Sequence, residues 1–189
     1  AANLVTGGAA TVALGQTDFT SRTNGNTATT MKNATGITFD SSGNMWVADT
    51  GNFRILKYPA ANLVTGGAAT VALGQTDLTS TEQGITATTL NNSTSIAFDS
   101  SGNLWATDPG NSRILKYPTA NLSTGGAATV ALGQSDLTSA EQGITATTMK
   151  NATGITFDSS GNLWVADKGN SRILKYPTAN LSTGGAATV

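Results

Sequence analysis

The sequence contains neither cysteine nor histidine in its 189 residues. The chain therefore has no disulfides and no thiolate metal ligands, and it lacks the commonest general base and neutral metal ligand. It has no Gly-x-Ser-x-Gly nucleophile motif, and its Gly-Gly-Ala-Ala segments lack the Lys-Ser/Thr of a phosphate-binding loop. These absences predict a protein that is not an enzyme and that binds no cofactor or metal. Only carboxylates paired by folding stay open as catalytic groups.

Charge and long apolar runs are also scarce. Charged residues make up 11% of the chain, and the ten basic residues are too dispersed for a basic stripe, so no nucleic-acid partner is expected. No run of 18 apolar residues is present, so no membrane span is expected. Ser, Thr, Asn and Gly replace the missing charge, which favours an extracellular or cell-surface location. The chain starts without Met at a point that recurs inside its own repeat, which indicates a processed product or a segment of a longer array; an engineered origin stays open.

What the sequence does contain is a repeat of 59 residues. The period is marked by tryptophans at Trp46, Trp105 and Trp164, and it runs through the chain without a shift in register. Such periodicity indicates a fold built from stacked copies of one unit. The copies differ at a few positions, such as Thr50, Pro109 and Lys168, as expected of a duplication followed by drift.

Each period has the pattern of a four-stranded antiparallel meander. In the third copy, alternating or apolar runs at 154–158, 163–166 and 172–176 are separated by Gly-containing turns, and Gly169 is expected to supply a positive φ in the second turn. Residues 128–132 predict the fourth strand of the second copy. Such meanders bury little alone and pack radially, so the fold class predicted is an all-β β-propeller of four-stranded blades. The structural core is expected to contain Trp46, Trp105, Trp164, Phe39, Phe98 and Phe157.

Residues 154–177 resemble an NHL repeat. They carry a Gly-Ile-x-hydrophobic-Asp strand, a Ser-Gly-Asn turn, an aromatic strand and then Ala-Asp-x-Gly-Asn-x-Arg-Ile. The match recurs at 36–59 and at 95–118, where Ser95, Thr107 and Pro109 depart from the pattern. The resemblance implies a β-propeller, usually of six blades, in a family whose members bind proteins, RNA or carbohydrates and include a few lyases.

Three blades per chain cannot close a ring. We treat 1–189 as one array, with blade 1 at about 35–74, blade 2 at about 94–133 and blade 3 at about 153–189. Open apolar flanks favour association, so the chain itself is the expected partner, as a six-bladed homodimer, with a homotrimer or a longer array as alternatives. Residues 9–14 of a partner chain would complete blade 3. Because residues 178–189 duplicate residues 1–12, one of the two segments is expected to be displaced.

Two groups of charged residues form a possible binding face. Aspartate and arginine recur five residues apart in each copy. They form either a ring of charge on one face or an Asp-capped turn near the surface whose arginine pairs locally or with the next blade. The capped turn is favoured because it is part of the repeat pattern. The long loops at 17–35, 76–94 and 135–153 carry a further aspartate each. The face thus comprises Asp18, Asp77, Asp136, Asp49, Asp108, Asp167, Arg54, Arg113 and Arg172. The Asp-x-x-Gly-Asn turns at Asp40, Asp99 and Asp158 have one carboxylate each, which indicates hairpin turns and not calcium loops.

These patterns favour a non-enzymatic structural or interaction scaffold assembled by oligomerisation. A second hypothesis is an extracellular carbohydrate- or peptide-binding propeller that uses the long-loop face. A third, a metal-dependent lyase or hydrolase, would need carboxylates and a bound metal because the chain has no histidine. Ligand identity and natural blade number do not follow from the sequence.

Overall fold

The computed structural model describes residues 4–188 and contains three antiparallel sheets, one for each copy of the repeat. The first sheet consists of β1 (Ala34–Phe39), β2 (Met45–Asp49), β3 (Arg54–Tyr58) and β4 (Val71–Leu73). The second consists of β5 (Ile96–Phe98), β6 (Leu104–Asp108), β7 (Arg113–Tyr117) and β8 (Val130–Leu132). The third consists of β9 (Ala152–Phe157), β10 (Leu163–Asp167) and β11 (Arg172–Tyr176). The predicted all-β fold with three propeller-like blades is confirmed, and neighbouring strands in each sheet are consecutive in the chain.

The helices are single 3-10 turns that connect strands. They span Thr50–Asn52, Ala60–Asn62, Pro109–Asn111, Thr119–Asn121, Lys168–Asn170 and Thr178–Asn180. None of the helices within residues 4–188 is long and apolar enough to cross a bilayer.

The turn between the second and third strands differs from the sequence prediction. Gly169 and its equivalents do not have positive φ; the left-handed residue is Ser171, at φ 52°, two positions later. Glycine is needed for space, because a Cβ on Gly169 would lie 2.6 Å from the backbone oxygen of Lys150. The long loop crosses the turn at this point, and the Gly169 amide donates to that same oxygen at 2.8 Å.

The core lies between the sheets as well as within them. One buried cluster joins Trp46 and Ile55 of the first blade to Leu104 and Leu115 of the second, and another joins the second blade to the third. At each junction the tryptophan of one blade meets the edge of a phenylalanine in the next, with ring centroids 5.9 Å apart for Trp46–Phe98 and 6.0 Å for the pair in the following junction. Each blade is therefore stabilised by the neighbour that covers its flank.

The fourth strands are shorter than predicted. The strand expected at 128–132 is confirmed only over Val130–Leu132, and the segment 9–14 forms no strand. In that segment Ala13 instead exchanges hydrogen bonds with the loop at Thr65 and Gly66. The third sheet has three strands among the described residues, although the Thr188 amide donates to Lys175 as Thr129 does to Lys116 just before β8. The predicted duplicate segment at 1–12 lies partly outside the described residues.

Candidate functional site

The predicted aspartate–arginine pairs are buried, although they were expected near the surface. Arg54 Nε lies 2.7 Å from Asp49 Oδ2, and both side chains are 0% exposed. Asn52 donates to the same carboxylate oxygen, and the Lys32 amide donates to the other. The remaining guanidinium protons of Arg54 go to long-loop carbonyls, those of Asn26, Thr27, Thr30 and Leu78. The pair therefore ties the loops to the blade and presents no charge to solvent.

The pair in the second blade is equivalent, but the pair in the third is not. Arg113 and Asp108 are also 0% exposed, 2.7 Å apart, and Arg113 again donates to a carbonyl in the loop that follows its blade, that of Leu137. Arg172 keeps its contact to Asp167 and the carbonyls of its preceding loop, yet it is 24% exposed. The exposure arises because no following loop covers it.

The loop aspartates stabilise their own turns. Asp18 accepts hydrogen bonds from the hydroxyls and amides of Thr20 and Ser21, and Asp77 and Asp136 are held in the same way. The hydroxyl of Ser21 is the largest cause of the lowered pKa of Asp18. The amide of Thr138, followed by the Ser139 hydroxyl, lowers the pKa of Asp136 to about 2. All three carboxylates are exposed, and their hydrogen bonds stay within their loops.

Phe39 departs from its expected place in the core, whereas Trp46, Trp105, Phe98 and Phe157 lie at the two internal blade junctions and Trp164 lies on the outer flank of blade 3. Phe39 is 53% exposed because no blade precedes the first one in the described chain. Trp46 and Trp105 are 0% exposed, whereas Trp164 is only partly buried. The two outer flanks of the array are thus the exposed counterparts of the buried junctions.

Two isoleucines show the same effect in numbers. Ile173 is 55% exposed on the outer flank of blade 3, whereas Ile55 and Ile114 at the same repeat position are 0% exposed. On the opposite flank Ile37 is 64% exposed, and its equivalent Ile96 is 5% exposed. The repeat count predicts open flanks but not these residues, since their exposure depends on which face of each strand has a neighbour.

A depression of about 340 Å³ marks the flank of blade 3. It is lined almost entirely by apolar atoms, with Ile155, Trp164, Val165 and Ile173 among its walls. In the first two blades the equivalent surface is filled by the next blade. This flank and the surface around Ile37 and Phe39 are the candidate functional site, and their chemistry suits protein–protein contact.

A buried feature missed by the sequence analysis is a tyrosine at the end of each third strand. The hydroxyls of Tyr58, Tyr117 and Tyr176 are buried and have no hydrogen-bond partner among residues 4–188. Burial raises the pKa of Tyr58 and of Tyr176 to about 12. These groups stay neutral and serve as packing surface.

A family model of the NHL repeat matches residues 31–58 and 149–176. These segments lie in the first and third copies; the second copy is the one with Ser95, Thr107 and Pro109. No curated protein matches the sequence significantly.

Several solved structures are similar in fold. A streptogramin B lyase matches with a TM-score of 0.51 and 19% identity, over 82% of this chain and 39% of the lyase. Virginiamycin B lyase from Staphylococcus aureus matches with a TM-score of 0.52 and 17% identity, over 82% and 40%. A gluconolactonase from Xanthomonas campestris matches with a TM-score of 0.51 and 12% identity, over 78% and 44%. The chain thus spans about two fifths of each, and at these identities the likeness shows the fold alone.

Proposed function

Because this chain carries NHL repeats and has two open flanks, we propose that it is a non-enzymatic interaction scaffold whose blades close into a six-bladed propeller with a second copy. The observation that carries the proposal is that each open flank has one half of the contacts that join the blades inside the chain. The hydroxyl-rich, weakly charged surface supports an extracellular or cell-surface setting for this scaffold.

The internal junctions follow one rule. A tryptophan packs on the phenylalanine of the next blade, and the Thr35 hydroxyl donates to the Thr94 carbonyl at 3.0 Å, as Thr94 does to Thr153. An arginine also donates to a leucine carbonyl in the next loop, as Arg113 does to Leu137. These contacts are unlike on their two sides, so they join blades head to tail.

The open flanks carry the unused halves. Blade 3 presents Trp164 and Arg172, and the other end of the array presents Phe39 and Phe19, where Phe19 occupies the repeat position of Leu78 and Leu137. A head-to-tail pair of chains would bring these halves together twice and would leave no flank uncovered. Three copies obeying the same rule would make nine blades.

Strand pairing supports the same arrangement. Residues 12–14 repeat the Val-Ala-Leu of β4, which pairs with β3 through Ile55–Leu73, Leu56–Ala72 and Lys57–Val71. In the closed ring, residues 12–14 of one copy would pair in this register with β11 of the other. Thr188 already donates to Lys175 of β11, and residues 178–188 repeat residues 1–11, so the first residues of the partner would be displaced there.

Light scattering coupled to size exclusion tests the closure. We expect a mass of about 38 kDa, twice the 19.0 kDa of the chain. Phe39→Ser should give a folded monomer, because Phe39 is exposed in the single chain and its loss removes only the contact between copies. A monomeric wild type, or an open polymer, would contradict the six-bladed closure.

Phe98→Ser provides the matched control. It is the same substitution at an internal junction, where Phe98 packs on Trp46 within one chain. We expect it to lower the unfolding temperature at every protein concentration without selectively dissociating the dimer. If Phe39→Ser and Phe98→Ser behave alike, the flank of blade 1 is not an interface.

A further inference from the structure

Each internal junction also contains an open cavity lined by both polar and apolar groups. The cavity between blades 1 and 2 has a volume of about 610 Å³ and the one between blades 2 and 3 about 560 Å³. Both lie where the turns between first and second strands meet, which the antiparallel order places at the opposite end of the blades from the long loops. Their size is within the range of small-molecule sites.

The walls of the first cavity carry polar groups that no intramolecular bond uses. The side chains of Ser41, Ser42, Ser100 and Ser101 line it, and their hydroxyls make no hydrogen bond to the described residues. The ammonium of Lys57 lies 5.5 Å from the ring centroid of Trp46 and forms no ion pair with a carboxylate of the described part of the chain. The second cavity repeats the set with Lys116 over Trp105. The serine pairs are identical in all three copies, although the hairpin turns do not use their hydroxyls.

The charges of the cavity select against ions. Asp40 and Asp99 both line it, and hydrogen bonds from Asn44 and Trp46, outweighing the opposing effect of burial, lower the pKa of Asp40. Two carboxylates facing one ammonium disfavour a phosphate or sulfate. The oxygens of Asp40 already accept bonds from the turn, and residues 4–188 hold no cluster of three or more acidic residues suited to a metal ion. A neutral ligand remains.

We infer that each blade junction is a binding site for a neutral, hydroxyl-rich ligand of the saccharide class. Its hydroxyls would donate to the serine oxygens and accept from Lys57 and the serine hydroxyls. Phe98 and Leu122 supply an apolar patch for the C–H face of a sugar ring. Two such sites lie within one chain. A third, between Trp164 and Phe39 of another copy, would form only if the proposed closure is correct.

Calorimetric titration with neutral oligosaccharides, chosen after screening an array of neutral and sulfated glycans, tests the inference. Tryptophan fluorescence reports on the same sites, because Trp46 lines the first cavity and Trp105 the second, whereas Trp164 lies on the open flank of blade 3. We expect saturable binding of at least one neutral glycan. Binding only to sulfated glycans or to calcium chloride, or no binding to the array, would overturn the inference.

The variant Ser41→Ala/Ser42→Ala/Ser100→Ala/Ser101→Ala removes hydroxyls that the fold does not use. We expect at least a tenfold loss of affinity at the first junction and a weakened second site, because Ser100 and Ser101 also line the second cavity, with an unchanged unfolding temperature. Thr81→Ala is the control: it removes an exposed hydroxyl from a long loop at a position where the third copy already has Ala140. Equal affinity of the quadruple variant and the wild type would contradict the assignment.

Stoichiometry separates this inference from the proposed closure. Phe39→Ser monomers should bind two glycans per chain, because both internal junctions stay intact. A closed wild-type dimer should bind three per chain. Two sites per chain in both proteins would contradict the closure and support the junction sites. A dimer that binds no glycan would support the closure and contradict the junction sites.

Discussion

The aspartates of each copy have two different structural roles that the sequence alone does not distinguish. Asp40 accepts from the amides of its own hairpin and from Trp46, whereas Asp49 lies buried against Arg54. Both aspartates recur at the 59-residue spacing, so their place in the repeat could be read from the sequence. Burial of Asp49 was not predictable, since the loop carbonyls that cover Arg54 come from residues 24 to 28 positions away.

Acid should destabilise the fold through the hydrogen-bonded carboxylates. The folded pKa values of Asp18, Asp77, Asp136 and Asp158 are below the ordinary 3.8, that of Asp136 at about 2. A carboxyl with a lowered folded pKa stabilises above its unfolded pKa and loses that contribution as the pH falls. We expect the urea midpoint to be nearly constant from pH 7 to about 5 and to fall below about 4. Asp136→Asn should flatten the decline, and a midpoint at pH 3 equal to that at pH 7 would disprove the linkage.

Because the tyrosine hydroxyls are buried and unpaired, we expect their removal not to lower the free energy of unfolding. Tyr117 is 0% exposed, and its hydroxyl has no hydrogen-bond partner among the described residues. Burial raises the pKa of this hydroxyl, so the side chain stays neutral. Tyr117→Phe removes the unpaired group, and such removal stabilises by roughly 1 kcal/mol or is neutral. Chemical denaturation would show this, and a loss above about 1 kcal/mol would reveal a bonding partner for the hydroxyl.

At the scale of the element, strand order followed from the sequence and the details of the turns did not. The three inner strands of each blade have alternating or apolar patterns bounded by turn residues, which fixed their type and order. The fourth strands shrink to three residues because their only ladder is to the third strand. The turn pattern predicted a positive φ for Gly169. Glycine is required there instead because the long loop crosses the turn and leaves no room for a Cβ, which a local sequence pattern does not reveal.

A pair of substitutions in one turn separates steric from conformational demand. Gly169→Ala puts a methyl group 2.6 Å from the Lys150 oxygen and should cost about 1–3 kcal/mol through overpacking. Ser171→Gly relieves a left-handed residue at φ 52° and should be neutral or stabilising by up to about 1 kcal/mol. Urea titration of both variants decides; a tolerated alanine at 169 would mean that the loop moves aside.

At the scale of the molecule, three blades share two covered junctions and leave two flanks bare. The need for a covering neighbour followed from the repeat count, whereas the identity of the exposed residues required coordinates. If the copies associate through these flanks, the unfolding temperature of the wild type should rise with protein concentration, because assembly stabilises the folded chain by mass action. Differential scanning fluorimetry over a hundredfold concentration range is the measurement. A temperature that stays constant, as expected for Phe39→Ser, would place the stability within single chains.

At the first junction the tryptophan comes from the earlier blade and the phenylalanine from the later one, as Trp46 and Phe98 show, and the second junction has the same order. The array therefore has a polarity, as a filament does: a leading flank can meet only a trailing one. A fragment able to offer just one of the two would bind once and block further growth. Such fragments should cap the array and prevent further association. Truncated copies of the same sequence would therefore control ring formation.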